Sequence, residues 1–370
     1  MHLATRIAAS EQDREAWKYT SLRDLKMLQF APVTERMVVD AAELPGLMPV
    51  EDRHRLVFVD GQLRHELSAV NDMPDDLIAG DATAGHVLSI GGQTCLITAP
   101  LELVFVATKN GTARESRVKL RFELGANARL TLIEHHISLG VGVAHAALSE
   151  TSIVLHPRAK LLHAKFQEMS RTDYHLAQTR VSVAGGAYYD RFAMMTGAAL
   201  SRDEIVVTLA GEQAQTQLHG VYLQRGGQHA DTTMLIDHAA PHTSSRTVYK
   251  GVLDERARGV FQGRLLVRPD AQKADAQQLS RALLLSDQAE ADSKPELEIY
   301  ADDVKCGHGA TVGQLDETAL FYLRSRGVPR DAARALLISA FAGEVIEQLT
   351  MPALRDYAAQ IAHLWRGDVA

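Results

Sequence analysis

Only two cysteines, Cys95 and Cys306, occur in 370 residues. They stand far apart, so a disulfide framework is excluded and the usage fits a reducing cytoplasm. Aromatic residues are also scarce, at 5% of a chain that is 46% hydrophobic. Alanine, leucine and valine carry the hydrophobicity, which favours evenly layered packing over a core built on a few large rings. No run approaches the roughly 18 apolar residues of a membrane helix. Glu11, Asp13, Arg14 and Glu15 interrupt the N-terminus where a signal peptide needs its apolar stretch. The chain therefore reads as soluble and cytoplasmic. Its net charge of −7 supplies no basic surface for nucleic acid.

Standard catalytic motifs are missing as well. There is no Gly-Lys dipeptide, hence no P-loop for ATP, and no Gly-x-Gly-x-x-Gly after a strand. There is no Gly-x-Ser-x-Gly elbow and no Cys-x-x-Cys. His65-Glu66 begins like a zinc motif but meets Ala69 where the second histidine belongs. The usual enzyme readings have no residues to stand on.

What is present is strand. Length alone suggests two or three domains, and the pattern divides the chain at 1–85, 86–311 and 312–370. In the first region Ser10 precedes a short charged helix leading to Trp17-Lys18-Tyr19-Thr20, and Pro32, Pro45 and Pro49 then break the chain. Asp60-Gly61, between Leu56/Phe58 and Leu63, predicts a hairpin. Residues 71–85 are acidic and turn-rich. From there to Thr311, alternating runs such as Arg129–Ile133, Glu204–Leu209 and Val260–Val267 follow one another without a long amphipathic helix. That excludes alternating βα folds and leaves a sandwich, a barrel or stacked coils. Stacked coils are favoured by strands recurring at about 20–25 residues, by small residues at the turns, and by Gln213, Gln215, Gln217, Gln272, Gln277 and Gln278, whose amides can form ladders. After Val312 the period turns helical. Asp316 caps a helix ended by Gly327, and Pro329 starts a second. Ala335, Ile338, Ala342, Val345 and Leu349 form its apolar stripe, and a third helix runs to Trp365. These helices are either a docking surface or a cap on the β core.

Most of the sixteen histidines read as hydrogen-bonded imidazoles, among them His135, His136, His145, His156 and His163. In 229–238, strand geometry puts Asp231, Thr233, Leu235 and Asp237 on one face and His238 on the other, which also suits a structural role. Cys306 and His308 differ. In an extended segment residues i and i+2 point the same way, so a thiolate and an imidazole could reach one iron or zinc ion. Gly307 and Gly309 leave room for close approach. A buried structural cysteine is the competing reading.

Residues 228–343 closely resemble the SufB/SufD family of iron–sulfur cluster assembly proteins. The matching runs are Asp231-Thr232-Thr233-Met234 with Asp237-His238, Tyr249-Lys250-Gly251, Gly259-Val260-Phe261-Gln262-Gly263, AQKADAQQLSRALLLS, KPELEIYADDVKCGHGATVG and LDETALFYLRSRGV. Trp17-Lys18-Tyr19-Thr20 resembles the SufD branch. SufB-type chains carry glutamate where Gly309 stands and have further cysteines, and both departures argue against independent scaffold activity. The resemblance implies a right-handed parallel β-helix core flanked by N-terminal and C-terminal helical segments. It implies a non-enzymatic scaffold subunit that pairs with a SufB-like chain and docks a SufC-like ATPase on the C-terminal helices; a homodimer of the isolated chain is compatible with it. His308 matches the family histidine implicated in a transient iron–sulfur cluster at the interface, and Cys306 matches a neighbouring cysteine. The same resemblance implies that reduced flavin binds the assembled complex. The competing reading is a purely structural partner that ligates no metal.

Overall fold

The computed structural model describes residues 15, 17–22, 28, 30–33, 37–44, 53–69, 78–79, 86–90, 99–109 and 111–367. The helix expected after Ser10 (apart from Glu15), Pro45, Pro49, the stretch 71–85 (apart from Ile78 and Ala79) and Cys95 lie outside them.

Alternation of side chains dictates the architecture. In Arg114–Leu124, Val118, Leu120, Phe122 and Leu124 are buried, while Arg117, Lys119 and Arg121 between them are not. Such a strand covers a core with one face only. Successive strands alternate between two sheets, so that each pairs with the strand two places on, in parallel. One sheet stacks Arg114–Leu124, His145–Leu155, Tyr174–Val183, Leu200–Leu209, His229–His238, Arg258–Val267 and Glu290–Ile299. The other stacks His54–Val59, Leu101–Thr108, Arg129–Leu139, Lys160–Gln167, Tyr188–Met195, Gln215–Gln224, Ser244–Leu253, Asp275–Leu284 and Lys305–Gln314. The result is a parallel β-solenoid of about seven turns, and the sandwich and barrel alternatives fall away.

The coil is longer than the spacing of strands in the sequence suggests. Lys160 pairs with Tyr188 and Asp275 with Lys305, advances of 28 and 30 residues in place of 20–25. Each coil holds two strands of about ten residues and two corners. At one corner, residues in the left-handed region stack on one another: Asn127, Arg158, Gly186, Gln213, His242 and Lys273. The small residue after each, Ala128, Ala159, Ala187, Ala214, Thr243 and Ala274, is buried against the next coil. The expected glutamine ladder does not form. Gln215 pairs with Tyr188 and Ser244, and Gln277 with Arg246 and Gly307. Gln217 and Gln277 share a column, but Arg246 stands between them, and Gln215 lies on the column of Ser244 and Asp275.

Glycines in the second sheet make room for tyrosine rings instead. Tyr222 pairs with Gly251 and Tyr249 with Gly220, and a Cβ at Gly251 would lie 1.9 Å from the Tyr222 ring. The hairpin at Asp60-Gly61 forms as the sequence predicts, with φ of 50° and 83° and antiparallel pairing of Phe58 with Leu63.

Three helices follow the solenoid: α1 (Glu317–Ser325), α2 (Arg330–Ile346) and α3 (Pro352–Gly367). Asp316 caps α1 by accepting from the Thr318 and Ala319 amides. Ile338, Ala342 and Val345 of α2 and Leu354, Ala358 and Ile361 of α3 bury against Ile133, Phe166, Phe192, Val221 and Val252 on the outer face of the second sheet. This explains why strands such as Tyr188–Met195 are buried on both faces, whereas the outer face of Leu101–Thr108 is covered by Val39 and Leu44. The apolar stripe of α2 is thus consumed by the chain itself. Phe321 and Tyr322 of α1, Leu336 of α2 and Leu364 of α3 remain exposed. No helix among the described residues is long and apolar enough to cross a membrane.

Candidate functional site

Cys306 and His308 lie on the last strand, Lys305–Gln314, which pairs on one side only, with Asp275–Leu284. The other sheet likewise ends at Glu290–Ile299. Among the described residues the solenoid therefore finishes in two unpaired edges, each offering free backbone donors and acceptors. Cys306 pairs with Ala276 and His308 with Gln278, both of them core positions, so the two side chains share the face turned toward the coil axis.

Their environments differ. Cys306 is half-buried and packs against the core. Burial pushes its thiol up; the Ala276 backbone opposes this, while the Asp275 charge adds to it. Burial therefore favours the neutral thiol over the thiolate. His308 is exposed. The flanking glycines carry less free space than their sequence suggests. A Cβ at Gly307 would meet Gln277 Oε1 at 3.0 Å, and one at Gly309 would meet Leu279 Cδ1 at 3.1 Å. No group of three or more His, Cys, Asp or Glu side chains that could hold a metal occurs among the described residues. Cys306 and His308 are at most two ligands of a four-ligand set.

Several other histidines are bonded structural groups. His145 Nε2 contacts Ser116 Oγ at 2.8 Å, and His156 Nε2 contacts Glu123 at 2.9 Å. His238 is held between Thr243 Oγ1 at 2.8 Å and Ser245 Oγ at 2.9 Å, and burial pushes it down to about 4. His135, Glu168 and Tyr357 meet where α3 lies on the second sheet, with His135 Nε2 at 2.6 Å from Glu168 and the Tyr357 hydroxyl donating to Glu168 at 2.7 Å. Lys250 is also covered by helix, paired with Glu344 and placed 4.5 Å from the Phe341 ring centre.

An ionic network inside the solenoid leaves no mark in the sequence. Asp203 reaches in from the first sheet to Arg191 at 2.7 Å and Lys165 at 3.3 Å, both on the second. Lys165 lies 3.9 Å from Glu134, which also meets His163 and His136 at 3.3 Å. Burial alone would raise Glu134, but His163, His136 and Lys165 together hold its carboxyl well below the usual range. Burial keeps His136 down at about 4 and His175 low. Two carboxylates and two permanent cations cancel, so the network carries no net charge with which to draw in an ion.

Residues 105–341 match the family described as "SUF system FeS cluster assembly, SufBD core domain". The chain is 30% identical over 385 residues to an iron–sulfur cluster assembly SufBD family protein of Synechocystis sp., covering 94% of this chain and 85% of that protein. It is 30% identical over 365 residues to the iron–sulfur cluster assembly protein SufD of Escherichia coli, covering 92% and 86%. A SufBD family protein of Mycobacterium tuberculosis is 28% identical over 364 residues, covering 94% and 87%.

Proposed function

The chain belongs to the SufB/SufD family of non-catalytic scaffold subunits of iron–sulfur cluster assembly, and from that premise we propose that it is the SufD-like member of a cytoplasmic complex. It pairs with a SufB-like chain through the open end of the solenoid and docks a SufC-like ATPase on its C-terminal helices. The observation that carries this reading is the placement of His308, exposed on a strand whose outer edge has no pairing partner among the described residues. A second chain that pairs with this edge lands beside the imidazole and can supply the ligands this chain lacks. The nascent cluster is the cargo of the site. His308 contributes one nitrogen, and Cys306 joins only if the partner brings positive charge to its thiol.

Exposed Phe321, Tyr322, Leu336 and Leu364 give the helices an apolar outer surface for the ATPase. Nucleotide hydrolysis belongs to that partner, and the polar locks at Lys250–Glu344 and His135–Glu168–Tyr357 pass helix movement to the sheet. Reduced flavin bound by the assembled complex is part of the same proposal, with no residue assigned to it.

The structural-partner reading keeps one observation of its own: Cys306 is packed and its thiol is pushed up. One experiment separates the two. The chain is co-expressed with SufB-like and SufC-like chains, and cluster formation is followed anaerobically with and without His308→Ala. Intact co-purification with sharply reduced cluster yield is expected. Unchanged yield would remove His308 from the mechanism and leave the structural reading.

A further inference from the structure

The side chain under His308 in the ladder is Gln278, which in turn lies over Thr247. Residues paired in a parallel ladder point the same way from strands about 4.8 Å apart. Gln278 is 3% exposed, and its amide is gripped from the opposite sheet, where Nε2 donates to the Gly263 carbonyl at 3.1 Å. That bond orients the amide, because a carbonyl accepts only from the NH2 side. Gly263 permits it, since a Cβ there would lie 2.4 Å from Oε1. Oε1 is thereby left as a buried acceptor without a donor. Buried acceptors are seldom left so. One rung further out stands His308, which makes no hydrogen bond among the described residues.

We propose that Gln278 is a positioning residue for His308. Its Oε1 accepts the ring N–H of the neutral imidazole, which fixes one tautomer. The other nitrogen, with its lone pair, is then directed away from the coil toward the partner chain. A ligating imidazole needs one bare nitrogen and a ring that does not rotate, and a hydrogen bond at the second nitrogen supplies both. Glutamine does this without bringing a charge into the core. The inference rests on the proposed role of His308, and its test separates the two.

Long-range 1H–15N spectra of the full chain, labelled with 15N-histidine, report the tautomer directly, and His308→Ala identifies the His308 signals. The unsubstituted chain should give the well-separated nitrogen shifts of a single tautomer. Gln278→Met, which keeps the volume, should collapse them toward an average. Gly263→Ala should do the same by displacing the amide, although Gly263 pairs with Met234 and Pro295 and not with His308. Thr247→Val should leave them alone. In the assembled complex Gln278→Met should lower cluster yield about tenfold with co-purification intact. An averaged tautomer in the unsubstituted chain, or shifts unmoved by both Gln278→Met and Gly263→Ala, overturns the proposal whatever becomes of His308. Should His308→Ala leave cluster yield unchanged while Gln278→Met still shifts the signals, the hydrogen bond stands and the cluster role falls.

Discussion

Arg202 holds its guanidinium 3.9 Å from the centre of the Trp17 ring while it bonds Asp231 on the next coil. Both charged groups point outward from the first sheet, yet their side chains are only 2% and 0% exposed. The N-terminal strand-side segment is what covers them. Thr20 donates its hydroxyl to Asp231 and lies 3.2 Å from His229 Nε2, and Glu15 pairs with Lys294 at 2.8 Å. The strap closes over an ion pair that would otherwise face water. Trp17→Ala should therefore cost about 1–2 kcal/mol in urea unfolding, the range of a partly desolvated cation–π contact. It should also speed proteolytic cleavage before residue 22 without unfolding the solenoid. Unchanged cleavage would mean that the strap is held by something other than this stack.

Asp203 is the junction of the interior network, joining Arg191 and Lys165 across the two sheets. Removing it strands Arg191 in the core and leaves Lys165 only its longer contact with Glu134. Asp203→Ala should lose roughly 3–5 kcal/mol. Arg246 and Asp275, a bidentate pair about 40% exposed, offer the contrast, and Arg246→Ala should lose less than about 1 kcal/mol. Denaturant midpoints of the two variants side by side decide whether burial sets the difference.

Acid should loosen the fold well above the carboxylate range. Burial pushes His136, His219 and His238 down to about 4, against roughly 6.5 in an unfolded chain. Between those values the unfolded chain binds more protons, so stability falls as pH falls through this window. Each histidine contributes roughly 2 kcal/mol of loss between pH 7 and about pH 5. Asp190, pushed up to about 6 by burial, works in the opposite sense and returns about 1 kcal/mol over the same span. Urea unfolding at the two pH values checks the sign, and equal midpoints would contradict it.

The sequence was legible where the structure is local. Strand alternation, the Asp60-Gly61 turn, the Asp316 cap and the α2 stripe all depend on neighbours within a few residues, and all form. The pairing face of Cys306 and His308 was legible for the same reason. What escaped depends on stacking. The coil length was concealed because strands alternate between two sheets, although alanines 128, 159, 187 and 214, each preceding a strand, mark it. The interior network escaped because Glu134, Lys165, Arg191 and Asp203 come from different strands and meet only across the coil. Trp17 and Arg202 are further apart still, and nothing in either segment announces the other.

The unpaired edge has an energetic consequence for the complex. In a stack of coils each layer is supported by the layers on either side of it, and the layer carrying His308 has a neighbour on one side only. It also lacks the cover that α2 and α3 give to the middle of the second sheet. The strand of His308 is therefore open to fraying, and in the proposed complex a partner docked along it would supply the missing second neighbour. On that proposal, recruitment of the partner and immobilisation of the imidazole would be one thermodynamic event, with the histidine held more firmly in the assembled chain than in the solitary one.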